Sequence, residues 1–223
     1  AGQYLQSSGD GVTPVWDTLS LNDLSDVLIA DNSLYIGHDP TSTDSTAEFN
    51  VAVGVTALDA ITTGDSNVAI GHNAAGALTT VNACVIIGRD AGKSIVDQNI
   101  GADGTVLIGM QAGEALTSAC CNTALGYFAL NANTEGDFNT AIGYSTLQTL
   151  NKSGGDTPSS NTAIGSHAGS NHTFGDHGTY VGANAGVNVT SANNNTFIGS
   201  QSGRLTTTGA DNVAVGYSAL YTN

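Results

Sequence analysis

The sequence predicts an all-β fold, a parallel β-solenoid or β-roll of about eleven coils, and three observations lead there. First, a pentapeptide recurs as Asn67-Val68-Ala69-Ile70-Gly71, Asn122-Thr123-Ala124-Leu125-Gly126 and Asn139-Thr140-Ala141-Ile142-Gly143. Anchored on its glycine, the pattern continues through Gly37, Gly54, Gly71, Gly88, Gly109, Gly126, Gly143, Gly165, Gly182, Gly199 and Gly216. The steps are 17, 17, 17, 21, 17, 17, 22, 17, 17 and 17, which defines a 17-residue unit with two insertions. Second, aliphatic and β-branched residues alternate just before each anchor, the pattern of a short strand. Third, 29 of the 223 residues are glycine, about twice the usual share, while helical repeats need units of roughly 33–47 residues.

Residues 1–31 lie outside the repeat and are expected to form a linker or attachment segment; residues 32–223 form the repetitive shaft. Directly before the anchor stands an aliphatic residue, as in Val53, Ile70 and Ile142, and two places earlier Val51, Val68 or Thr140. Side chains alternate along a strand, so these two columns share one face. The residue between them, Ala52, Ala69, Ala124, Tyr35, Tyr180 or Phe197, takes the other face. Both faces are thus largely apolar, the pattern of a strand covered on both sides. We expect the Val and Ile columns in a thin interior and the Ala/Tyr/Phe column as an apolar stripe along the rod. Such a stripe marks an interface, with alanines admitting close approach of a second copy.

The anchor glycines, among them Gly54, Gly71, Gly126, Gly143, Gly199 and Gly216, predict a corner with positive φ or a close backbone approach. Four places earlier come Asn50, Asn67, Asn122, Asn139, Asn161, Asn195 and Asn212, which when stacked would form a hydrogen-bonded amide ladder. Gly64-Asp65, Gly136-Asp137 and Gly175-Asp176 mark a second corner. Three places after the anchor a small residue recurs (Ala57, Ala74, Ala91), and seven places after it often an apolar one (Ile61, Leu78, Ile95). Each coil is therefore expected to hold two short strands and two turns. Eleven coils at about 4.8 Å give a rod roughly 50 Å long.

Charge narrows the function classes. Four Lys and Arg stand against 19 Asp and Glu, a net charge of −15, which argues against nucleic acid or an anionic membrane surface as partner. No apolar run is long enough for a transmembrane helix. The chain starts at Ala1 with its one Met at position 110 and shows no signal peptide, so a fragment or processed product is expected. Cys84, Cys120 and Cys121 have neither disulfide-framework nor zinc spacing.

Asn-Val-Ala-Ile-Gly and Asn-Thr-Ala-Ile-Gly-Tyr-Ser resemble the head repeats of trimeric autotransporter adhesins. Thr140-Ala141-Ile142-Gly143-Tyr144-Ser145 and Val215-Gly216-Tyr217-Ser218-Ala219-Leu220 resemble repeat regions of phage tail-fibre proteins more closely. The adhesin heads usually have a somewhat shorter repeat. Gly2-Gln3-Tyr4-Leu5-Gln6-Ser7, with Gly9-Asp10-Gly11, Val15-Trp16 and Leu21-Asn22-Asp23-Leu24-Ser25-Asp26-Val27, is similar to a linker of phage virion proteins, often those of cyanophages. The resemblance implies an in-register homotrimeric fibre at a virion surface, or alternatively a bacterial cell surface. Implied partners are other fibre or baseplate proteins and a host glycan or protein receptor.

No catalytic, cofactor-binding or metal-binding residues are expected. A Ser near a His carries little weight where Ser and Thr are so abundant, and a depolymerase would want paired acids where only three Glu occur. His167, His172 and His177, spaced by five, are expected on the surface, and Cys120-Cys121 in small buried positions. Ice binding needs solvent-facing Thr rows, whereas Thr123, Thr140, Thr162, Thr179 and Thr196 share the face expected to be buried. Insertions in solenoids form surface loops. Those near 93–103 and 150–160 supply candidate receptor contacts: Lys93, Asp97, Asn151, Lys152 and Asp156.

Overall fold

A computed structural model describes residues 3–6, 15–18, 27–37, 40, 46–96, 103–150 and 160–222. It is all-β, with no helix among the described residues. Strands β1 (Gln3–Gln6) and β2 (Val15–Thr18) pair antiparallel on their own. Then β3 (Val27–Ala30) and β4 (Ser33–Ile36) form a hairpin whose turn residues, Asp31 and Asn32, both have positive φ, as a two-residue turn of this hand requires. The main sheet thus begins within the segment read as linker.

From β4 onward every rung is parallel. Three-residue strands β5 (Val51–Val53), β6 (Val68–Ile70), β7 (Val85–Ile87), β8 (Val106–Ile108) and β9 (Thr123–Leu125) stack in sequence order. They continue through β10 (Thr140–Ile142), β11 (Thr162–Ile164), β12 (Thr179–Val181), β13 (Thr196–Ile198) and β14 (Val213–Val215). Register is strict: equivalent columns pair even across the longer steps, Val85 with Val106 and Thr140 with Thr162. Each coil holds one strand, not two. Its far side is a series of turns that still bond coil to coil, as Ala75 N–H to the Ala91 carbonyl at 3.0 Å.

Four positions per coil are left-handed, and they bend the chain into a closed contour. The anchor glycines have φ between 93° and 146°. A Cβ on Gly126 would lie 2.3 Å from the Gly143 carbonyl oxygen, so both the torsion and the close approach demand glycine. Two places after the anchor, Asn73, Asp90, His167 and Asn184 are left-handed; five before it, so are Ser66, Ala83, Cys121 and Asn194. Four places after the anchor the residue is also left-handed and points inward.

That last column explains the core. The strand-centre residue is fully buried in every rung, whereas its two neighbours are half-buried or exposed. The expected faces are therefore reversed: Ala52, Ala69, Tyr180 and Phe197 point inward, and the Val, Thr and Ile columns point out. The reason is volume. At three alanine strand centres (Ala52, Ala124, Ala141) leucine stands four places after the anchor (Leu58, Leu130, Leu147), fully buried, whereas Ala69 is matched by Ala75 and Ala163 by Gly169. At the large centres Phe197 and Tyr180 glycine stands there: a Cβ on Gly203 would meet the Phe197 ring at 2.3 Å, and one on Gly186 the Tyr180 ring at 2.5 Å. At this pair of positions the coil admits no more than one large group, and close packing penalises an overlap.

Replacing Gly126 by Ala should destabilise the fold by about 2–4 kcal/mol in a urea melt, since the torsion is strained and backbone cannot yield. Gly104 is also left-handed, but a Cβ there meets nothing within 4 Å. Gly104→Asn should shift stability by less than about 0.5 kcal/mol.

Candidate functional site

The buried polar residues of successive coils form ladders. Asn50, Asn67, Asn122, Asn139, Asn161 and Asn195 are all buried, on the inward side with the strand centres. Each side-chain oxygen accepts from the backbone N–H of the next coil: Asn67 N–H to Asn50 Oδ1 at 2.9 Å, Asn139 N–H to Asn122 Oδ1 at 2.8 Å, Asn212 N–H to Asn195 Oδ1 at 3.0 Å. The side-chain amide of Asn50, Asn67, Asn122 or Asn161 donates to a carbonyl at the second corner, Gly64, Val81, Gly136 or Gly175, at 2.8–2.9 Å. One residue thereby satisfies a donor and an acceptor that would otherwise be buried unpaired. Elsewhere the Ser33 hydroxyl accepts from Asn50 N–H at 2.9 Å, and the Cys84 thiol donates to the Asn82 carbonyl at 3.5 Å. The expected ladder is present.

A second ladder runs the other way at the Gly-Asp corner. Asp65, Asn82, Asp103, Asp137 and Asn193 each accept from a backbone N–H one coil earlier, at 2.6–3.0 Å. One side-chain oxygen of each of these acids is thus engaged by backbone. Among the described residues no three His, Cys, Asp or Glu gather as a metal site, and no helix is long and apolar enough to cross a membrane.

Lys93 is ion-paired with Glu114 of the following coil. Gln111 and Asn131 also donate to Glu114, at 2.6 and 2.9 Å. Burial would raise the Glu114 carboxyl, but the hydrogen bond from Lys93, with those from Asn131 and Gln111, outweighs it and holds the pKa below the usual value. The other candidate contacts, Asp97, Asn151, Lys152 and Asp156, lie outside the described residues.

The cysteines are free. Cys84 is buried as expected of a small hydrophobe, but Cys120 is half-buried and Cys121 exposed. Burial pushes the Cys84 thiol up to about 11; burial, with Cys121 and Asp137 nearby, pushes that of Cys120 up to about 12. Neither is a thiolate nucleophile at neutral pH.

His177 is exposed and His167 half-buried, but His172 is fully buried, contrary to expectation. It takes the place that Asn133 fills two coils earlier. Asn133 donates to the Gly136 carbonyl at 2.8 Å, and His172 Nε2 bonds the Gly175 carbonyl at 2.9 Å. A carbonyl only accepts, so Nε2 carries the proton and Nδ1 accepts from the Tyr180 hydroxyl at 3.3 Å. Position in the repeat, with Asn133 as the polar precedent, was the available signal. The surface also carries a small aromatic cluster: the rings of Tyr127 and Tyr144 are 5.6 Å apart, and His167 lies edge-on to Tyr144.

No protein-family model, curated protein or solved structure matches this chain.

Two outcomes test the ladders. Asn139→Ala leaves a buried N–H without its acceptor and should cost about 1–3 kcal/mol in a denaturant melt. Burial holds the His172 pKa below its usual value, so the unfolded chain binds more protons below about pH 6.5. Stability should be full above that pH and decline as pH falls towards the folded-state pKa. In His172→Asn, which keeps the bond to Gly175, this part of the pH dependence should vanish from melts taken between pH 7 and 5.

Proposed function

We propose that the chain is a non-enzymatic shaft segment of an attachment fibre, assembled as a parallel homotrimer, on a phage tail or neck. A bacterial surface adhesin head of the same fold is the alternative. One observation carries the reading: eleven parallel rungs are tied together by backbone bonds and two side-chain ladders, in which the stacked Asn and Gly-Asp-corner side chains are spent on bracing one coil against the next. This is the construction of a stiff spacer, in which each coil is braced by its neighbours. Its work is mechanical: to hold a tip or its own loops away from a virion, bonded to other fibre or baseplate proteins, within reach of a glycan or protein on the host.

Ice binding gains from the reversed faces, because Thr123, Thr140, Thr162, Thr179 and Thr196 stand outward in five successive rungs. Their partners in each rung are Leu, Ile or Val, however, not a second Thr. Thermal hysteresis in the purified protein would favour that reading over a shaft.

Light scattering should give a mass near three chains, unchanged by reductant. The assembly should also resist trypsin, which has only Arg89, Lys93, Lys152 and Arg204 to cut. A monomer, or rapid tryptic loss, would overturn the fibre reading.

A further inference from the structure

The outward face of the sheet is a ribbon two side chains wide, and its composition is singular for this chain. The two flanking positions of rungs β4 to β14 give 22 residues, and none is charged in a protein of net charge −15. They are half-buried to exposed: Ile70 is 38% exposed, Leu125 44% and Ile164 39%. Monomers seldom leave so long an apolar strip to water. Its freedom from charge removes the repulsion that two acidic copies would otherwise meet on approach.

The ribbon is also zoned. In β4 to β8 both outward positions are aliphatic, as Val68 with Ile70 and Val85 with Ile87. In β9 to β13 the first is Thr in every rung, as Thr162 with Ile164 and Thr179 with Val181. A Thr hydroxyl covered by aliphatics loses its hydration at a cost. Antiparallel packing would set the Thr half on the aliphatic half and strip those hydroxyls. Rotation about an axis along the rod puts each rung against the same rung of its neighbour, aliphatic on aliphatic and Thr on Thr.

We propose that the Val/Ile half of this ribbon is the surface by which copies of the chain associate, and that its zoning selects parallel, in-register assembly with the Thr half contributing less. This rests on the self-association proposed above and replaces the alanine column, which is interior, as the interface.

Asp substitutions on the two halves separate the zones, because these side chains point to solvent and the coil interior is untouched. Val68→Asp should lower the assembled fraction at micromolar concentration at least tenfold by light scattering; Thr179→Asp should change it less than threefold. Equal loss from both overturns the zoning. Polarity is read in a Cys120→Ser, Cys121→Ser background, since serine already occupies the Cys121 column at Ser66 and Ser160. There Val68→Cys chains should oxidise to the 68–68 disulfide. Co-expressed with Thr179→Cys chains, they should give no mixed 68–179 disulfide; finding one overturns the parallel arrangement. An assembly of three chains without the 68–68 disulfide sinks the ribbon but leaves the trimer, whereas a monomer sinks both.

Discussion

The rest of the structure depends on how closely successive coils approach at the anchor corner. Coils stacked about 4.8 Å apart leave the carbonyl of the next glycine where a Cβ would sit, 2.3–2.8 Å from the ideal position in nine successive contacts from Gly54 to Gly199. That contact forces one residue type at one place per coil. Once the glycine column is aligned, strand, amide ladder and second corner are aligned as well, because all are counted from it. Register here comes from a steric column rather than from hydrophobic patterning, which for strands of three residues would be weak.

A narrow contour has a second effect, on what an interior can be. Ile86, Leu107, Tyr180 and Phe197 at strand centres are each matched by glycine across the lumen, whereas Ala52, Ala124 and Ala141 are matched by leucine. Beside this apolar layer runs the Asn column, buried from Asn50 to Asn195 and half-buried at Asn212. Buried amides are costly unless every group is paired; here the stack supplies a donor and an acceptor at fixed spacing. Thr105 shows the contrast: it replaces Asn, and its hydroxyl is buried without a partner.

Much of this was legible in the sequence. The unit length, the glycine corner, the Asn ladder and the Gly-Asp turns follow from residues such as Gly126, Asn139 and Asp137, because a repeat turns each local requirement into a column. Inside and outside were not legible from residue type alone. Val and Ile look like core, but β-branched side chains also suit the outer surface of a sheet, and the lumen is too narrow for a full column of them. Two signals were present: Asn50 and Ala52 are two apart and must share a face, and Gly203 follows Phe197 where Leu58 follows Ala52. His172 was missed because its neighbours suggest a polar turn, whereas its place in the coil is the one filled by Leu150 and Val189. The receptor-contact candidates rested on insertions, and insertions lie outside the columns that give the other positions their meaning.

The two longer steps carry a consequence for how such a molecule changes over time. Val85 still pairs with Val106 across 21 residues, and Asn161 N–H still reaches Asn139 Oδ1 at 3.0 Å across 22. The rungs on either side of each longer step keep the register of the rest. Because the bonds described either join adjacent coils or stay within one, duplicating or deleting a whole unit would lengthen or shorten the rod by one stacking interval and leave its cross-section intact. Length is thereby quantised, set by the number of units a gene encodes, and it can change by whole units without any need to redesign the core.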